Sequence, residues 1–169
     1  MRRLKSPARR GAAAVELAFV VLLFFVPVLF GIWEAGRLIE VQQSVSNGTR
    51  EGARLAAQGY TINSSGAPTQ ITANSVKDVV YQYLIAAGFS NLQPSDVTVT
   101  FAFKDKDTSL TEPYLGVKNQ RFDVTVRIPW DKVRWINVGL IRPTEVTFTA
   151  TWQMLIDDKF TVNQAIPSL

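Results

Sequence analysis

The spacing of hydrophobic positions changes twice along the chain. From Ala12 to Trp33 (AAAVELAFVVLLFFVPVLFGIW) it is almost continuous, broken by a single charge, Glu16. At about 1.5 Å rise per residue a helix of this length reaches ~33 Å, close to the hydrocarbon thickness of a bilayer. Beyond Trp33 the apolar residues thin to a stripe. Leu38, Val41, Val45, Gly48, Gly52 and Leu55 recur in alternating steps of three and four, with Arg37, Glu40, Gln43, Arg50, Glu51 and Arg54 mostly off the stripe. The pattern predicts one helix from about 12 to about 57, stopped by Gly59. Such a helix is nearly ~70 Å long. Residues 59–69 (GYTINSSGAPT) read as a linker loop. A second helix is predicted over about 70–87, with Val76, Val79, Val80, Tyr83, Leu84 and Ala87 on one face and Gly88 as its stop. The period then falls to two. Val97, Val99, Phe101 and Phe103 form one alternating run, Phe122, Val124, Val126 and Ile128 a second, and Val146, Phe148, Ala150, Trp152 and Met154 a third. These are three half-buried strands, expected to be antiparallel.

The fold class that follows is α+β. A long N-terminal transmembrane helix continues into a domain where a second helix packs on a small antiparallel β-sheet of about three strands. The apolar face of the sheet needs a cover, and the second helix and the outer half of the long helix are the candidates. Gly48, Gly52 and Ala56, at i, i+4 and i+8, form a narrow small-residue groove. Each glycine costs about 1 kcal/mol against alanine inside a helix, which is sensible if another backbone packs close; the alternative is a locally weak helix at Asn47-Gly48. Pro27 predicts a kink in the span, either a simple bend or a packing feature. Residues 104–120 form a charged loop in which Asp105, Asp107 and Glu112 are either solvated or oxygen ligands for calcium, without the spacing of an EF-hand. Residues 130–142 (WDKVRWINVGLIR) are rich in Trp and aliphatics and either cover a sheet end or meet a partner.

Charge and composition narrow the function. The net charge is +4, but Arg2, Arg3, Lys5, Arg9 and Arg10 crowd the first residues with no acid among them. Removing those five from the 18 bases, and Glu16 from the 14 acids, leaves 13 of each beyond residue 33. The basic excess is therefore a terminal tag, and no clustered basic surface for nucleic acid is expected. Bases before an apolar span favour a cytoplasmic N-terminus, and Trp33 suits the far interface. With no cysteine and no histidine, disulfides, thiolate chemistry, Ser-His-Asp catalysis and the commonest metal ligand are absent. No glycine pattern for a dinucleotide or a phosphate loop occurs, so no catalytic set, metal site or cofactor is expected. A cleaved secretory signal is the rival reading of the N-terminus. The apolar run is longer than the usual ~7–15 residues of such signals, and it ends in Gly31-Ile32-Trp33-Glu34 with no Ala-x-Ala site. Glu16 is costly in hydrocarbon; near the cytoplasmic end it can reach toward the headgroups and Arg9 or Arg10.

Several parts of residues 9–57 stand in a recognisable order: Arg10-Gly11, Glu16 followed by an apolar residue, a Pro-bearing apolar span, Gly36-Arg37, and Arg50-Glu51-Gly52-Ala53-Arg54. Together they resemble the TadE-like pseudopilins, minor pilin-like proteins of the tight-adherence (Flp) branch of type IV pili. The resemblance implies that a prepilin peptidase removes the basic leader by cutting Gly11–Ala12, and that Glu16, the fifth mature residue, docks the subunit to a neighbour. Where this branch often carries Tyr or Phe after the Glu, this chain has Leu17. That departure, with the size of the outer domain, points to a minor component. The new amine at Ala12 and the carboxylate of a neighbour's Glu16 would attract strongly in low dielectric and set axial register.

The expected organisation is a basic leader over 1–11, the long helix over 12–58 (transmembrane 12–33, amphipathic 34–58), and an extracytoplasmic α+β domain over 59–169. The expected function is that of a non-catalytic pseudopilin in assembly of a tight-adherence pilus or related secretion filament. Its implied partners are the prepilin peptidase, other pilin and pseudopilin subunits, the pilus assembly platform in the bacterial inner membrane, and the lipid bilayer. The alternative is a single-pass anchored extracytoplasmic binding or sensor domain that does not assemble; it keeps its leader.

Overall fold

The structure, a computed structural model, describes residues 8–135 and 144–156, with side chains from Gly11 onward. The leader bases Arg2, Arg3 and Lys5, the side chains of Arg9 and Arg10, and the 136–142 part of the Trp-rich segment lie outside the described residues. The described residues fall into two units. One holds the long helix through Ile39 together with Arg134 and Trp135; the other runs from Glu40 to Val133 and resumes at Thr144.

The first unit is the apolar part of the helix. It begins as α1 (Ala8–Val20), passes through a π-helical turn (Val21–Phe25) and continues as α2 (Val26–Gln58). Pro27 accounts for the π turn. It has no N–H to offer the carbonyl of Leu23, and its ring crowds that carbonyl. The preceding turn widens, and the Val26 N–H donates to the Val21 carbonyl five residues back. Between Gly11 and Gln58 this helix carries a stretch of mean hydropathy 2.7 that is apolar enough to cross a membrane.

The second unit contains the predicted α+β domain. α2 ends where Gly59 takes φ +63 and its N–H donates to the Ala56 carbonyl, a left-handed terminus that suits glycine. α3 (Ala73–Ala86) starts in a capping box: the Thr72 hydroxyl accepts from the Ser75 N–H, and the Ser75 hydroxyl from the Thr72 N–H. It ends in a Schellman pair, Phe89 N–H to Leu84 carbonyl and Gly88 N–H to Ile85 carbonyl, which turns Phe89 back into the core. The three predicted strands are β3 (Thr98–Phe103), β4 (Arg121–Pro129) and β5 (Glu145–Gln153), antiparallel in the order β3-β4-β5. Their inner face buries Phe101, Phe103, Phe122, Val124, Val126, Ile128, Val146 and Ala150. Phe122, fully enclosed, contributes about 1.5–3 kcal/mol by burial, and its ring lies 5.0 Å from that of Phe101. Trp152, aligned opposite Phe122, stays partly exposed at the rim. On the outer face Thr125 and Thr149 hydrogen-bond across strands, Thr151 donates to Asp123, and Lys104 pairs with Asp123 at 2.8 Å.

The 59–69 segment departs from the predicted linker. It is a hairpin, β1 (Tyr60–Ile62) paired with β2 (Pro68–Gln70). Both strands are exposed throughout, so no alternation of apolar residues marked them. The turn is held by the Asn63 side chain, which accepts from the N–H groups of Ser65 and Ala67, and by Gly66 at φ +77.

The buried stripe of α2 within this unit is broader than predicted. Val41, Val45, Thr49, Ala53, Ala56 and Ala57 are fully enclosed, and Leu55 is only half-buried. A helix covered on two sides buries more than one narrow stripe. α3 lies against Gly48 and Gly52, while Arg50 reaches over Phe148 of β5 and the Ala57 carbonyl accepts from Leu155. Thr49 is tolerated there because its hydroxyl donates to the Val45 carbonyl at 2.6 Å.

Candidate membrane and assembly helix

Gly11, Ala12 and Glu16 occupy the first turns of the continuous helix, all exposed. Ala12 and Glu16 are one turn apart and share a face. A Cβ built on Gly11 meets nothing within 4 Å. From Val15 to Ile32 the large apolar side chains are almost all open, with Leu17 63% and Phe24 67% exposed. Nothing described in the chain folds over them. In water this surface far exceeds what a soluble monomer leaves uncovered, so its cover is lipid or other subunits.

Arg37 was expected off the stripe but is buried, as is Glu34 one turn before it. The Arg37 guanidinium lies over the Trp135 ring, 4.7 Å from its centroid. A contact between residues so distant in sequence leaves no trace in helical periodicity.

In the second unit, Gly48, Gly52 and Ala56 line the inner face of α2. A Cβ on Gly52 would stand 2.7 Å from Val80 Cγ2 and 3.2 Å from Val76 Cγ1; one on Gly48 would stand 3.1 Å from Tyr83 Cδ1. Ala56 is fully buried. The Arg50–Arg54 motif divides its work by face. Gly52 and Ala53 point inward, while Glu51 and Arg54 pair outside through two hydrogen bonds. The bond from Arg54 holds the Glu51 carboxyl below its ordinary range.

The three acids of the charged loop turn to separate partners. Asp105 accepts from the backbone and side chain of Arg121, Asp107 from Ser109, and Glu112 from the Ala73 N–H at the start of α3. The little burial Asp105 has would raise its carboxyl, but Arg121 outweighs it and lowers it. Asp107 is lowered by its bonds from Ser109. Glu112 thereby places a carboxylate on a helix N-terminus, a stabilising arrangement. Among the described residues no group of three acids is set to hold a metal ion. At the other end of the Trp-rich segment, Trp130 and Val133 of α4 (Trp130–Val133) are buried.

A single apolar helix that no other described part of the chain covers, continuous with an amphipathic half carrying a helix and an antiparallel sheet, defines a helix-anchored α+β protein. Over residues 11–54 the chain is similar to the family described as TadE-like protein. The match begins at Gly11 and ends at Arg54, covering most of the long helix and none of the strands. No curated protein matches the chain, and no solved structure does.

Proposed function

We propose that the chain is a non-catalytic pseudopilin, a minor subunit that takes part in assembly of a tight-adherence pilus or a related secretion filament. The observation that carries this is the uncovered apolar helix, with a lone carboxylate near its start, inside the TadE-like segment. In this reading the basic leader stays in the cytoplasm, the helix spans the inner membrane, and the sheet domain is extracytoplasmic. A prepilin peptidase cuts Gly11–Ala12. The freed amine at Ala12 meets Glu16 of a neighbouring pilin or pseudopilin, and the assembly platform draws the helices into a bundle.

The Coulomb attraction of such a pair is about 4 kcal/mol at 4 Å for an effective dielectric near 20. Desolvation consumes much of that, so the pair fixes axial register more than it adds affinity.

The test is the intact mass of membrane-extracted protein from cells with and without the peptidase. The mature chain is expected to start at Ala12 only when the peptidase is present, and Gly11→Arg to stay at full length. A mature start beyond Trp33 would make the N-terminus an ordinary signal, and an uncut wild-type chain would favour an anchored module that never assembles. A reporter active only outside the cytoplasm, fused after Leu169, should work; a stable but inactive fusion would reverse the orientation.

A further inference from the structure

We infer that Trp135 is a second membrane contact of this chain, seated with Trp33 and Arg37 in the headgroup layer at the outer end of the span. The inference rests on the membrane-anchor reading and goes beyond it, because Trp135 lies between β4 and β5 in sequence and belongs to no apolar span.

The geometry is compact. The Trp33 and Trp135 rings meet edge to face, centroids 6.3 Å apart and planes at 86°. Arg37, one helical turn beyond Trp33, lays its guanidinium over Trp135 at 4.7 Å. Trp135 is therefore fixed against two residues of the helix that bears the span. Trp33 closes the apolar run, which puts its ring at the hydrocarbon boundary. Arg37 lies ~6 Å further along the axis, and a headgroup layer is roughly 5–8 Å thick on each side of a ~30 Å core. A ring touching both residues has little room outside that layer.

The side-chain chemistry agrees with the position. Trp33 remains 52% exposed and Trp135 64% exposed, while Arg37 is 8% exposed. Two adjoining indoles, each more than half open, are poorly suited to water. They suit an interface that takes an apolar ring with an N–H at its edge. Ile32 and Ile39, 65% and 55% exposed, extend the apolar surface on the helix below and above the pair. The occupant this surface fits is the outer-leaflet lipid of the bilayer that Trp33 already marks.

The experiment uses the full chain in vesicles of phosphatidylethanolamine and phosphatidylglycerol, with bromine placed on the acyl chain near the carbonyl as a quencher. Wild type, Trp33→Phe and Trp135→Phe are compared, and the difference spectra isolate each ring. Phenylalanine keeps an apolar aromatic at both sites, and Trp130 and Trp152 provide an internal reference. The expected result is blue-shifted emission from Trp135, lost to brominated lipid as fully as that of Trp33 and untouched by aqueous iodide. Quenching of Trp33 by lipid but of Trp135 by iodide overturns the inference and leaves the anchor standing. Protection of Trp135 from both quenchers also overturns it, since the ring is then covered by protein. Lipid quenching of neither ring refutes the anchor itself, and the inference with it.

Discussion

In the second unit α2 passes close to α3 at Gly52, and substitution there has a computable sign. Alanine in place of glycine inside a helix contributes about 1 kcal/mol of stability. Here the added Cβ lies 2.7 Å from Val80 Cγ2 and 3.2 Å from Val76 Cγ1, closer than packed carbons tolerate. Val76 and Val80 are both fully enclosed, so neither can swing aside. Overpacking of this kind costs about 1–3 kcal/mol. Gly52→Ala should therefore destabilise by up to about 2 kcal/mol. Gly48→Ala, one turn earlier, should do the opposite. Its Cβ meets the edge of the Tyr83 ring at 3.1 Å, and Tyr83 is only half-buried and can give way. That variant should be neutral or up to about 1 kcal/mol more stable. The assay is urea unfolding of a fragment starting at Glu34, followed by circular dichroism. With a slope of about 1–3 kcal/mol/M, the two substitutions should move the midpoint in opposite directions by a fraction of a molar to roughly 1 M. Val80→Ala alone removes two carbons, costing at least about 1.6 kcal/mol, and should partly rescue Gly52→Ala by about 1 kcal/mol of coupling. A Gly52→Ala fragment more stable than wild type, with no coupling to Val80, would show that the helices do not meet there and refute the reasoning.

Glu16→Val should insert normally yet fail to co-purify with pilin partners or to support surface filaments, while Glu16→Asp should be intermediate; normal filaments with valine would mean the carboxylate merely reaches for the headgroups. A fragment starting at Glu34 should unfold cooperatively, whereas one starting at Gly59 lacks Val41, Val45, Ala53 and Ala56 and should aggregate; equal stability of the two would mean the α2 stripe faces other subunits. Asp123 gives a pH test. Burial would raise its carboxyl, but the hydrogen bonds from Lys104 and Thr151, with the charge of Lys104, outweigh that and hold it below its ordinary value. A lowered folded pKa stabilises above the unfolded value of about 3.9 and is lost as pH falls through the folded one. Asp123→Asn should thus cost about 1 kcal/mol or less near neutrality, in keeping with an exposed pair. In acid titrations of stability the difference from wild type should shrink as pH falls below about 4 and be gone once pH is below the folded value, and a gap that persists there would assign the effect to packing.

Local pattern alone determined much of this protein. The apolar run from Ala12 to Trp33, the 3-4 stripe beyond it and the Gly59 stop are properties of neighbouring residues on one helix, and the structure keeps all three. The alternation at Phe122–Ile128 and its two companion runs likewise appears as three antiparallel strands, because one face must be buried and the period of a strand is two. The ordered parts from Gly11 to Arg54 also carry the similarity to the TadE-like family, since they lie within one continuous segment. Tertiary structure decided what depends on distant partners. The hairpin at 60–70 is exposed on both faces, so it rests on the Asn63 side chain and backbone pairing and not on hydrophobic patterning. The acids of the 104–120 loop looked alike in sequence; Asp107 turns to its neighbour Ser109, while Asp105 and Glu112 were placed only when Arg121 and the start of α3 came within reach. Arg37 reads as a solvent-facing charge by its helical position, yet it is buried, with Trp135 against its guanidinium. Periodicity reports the preference of a residue for one side of its own element; it carries no information on which remote side chain will occupy that side.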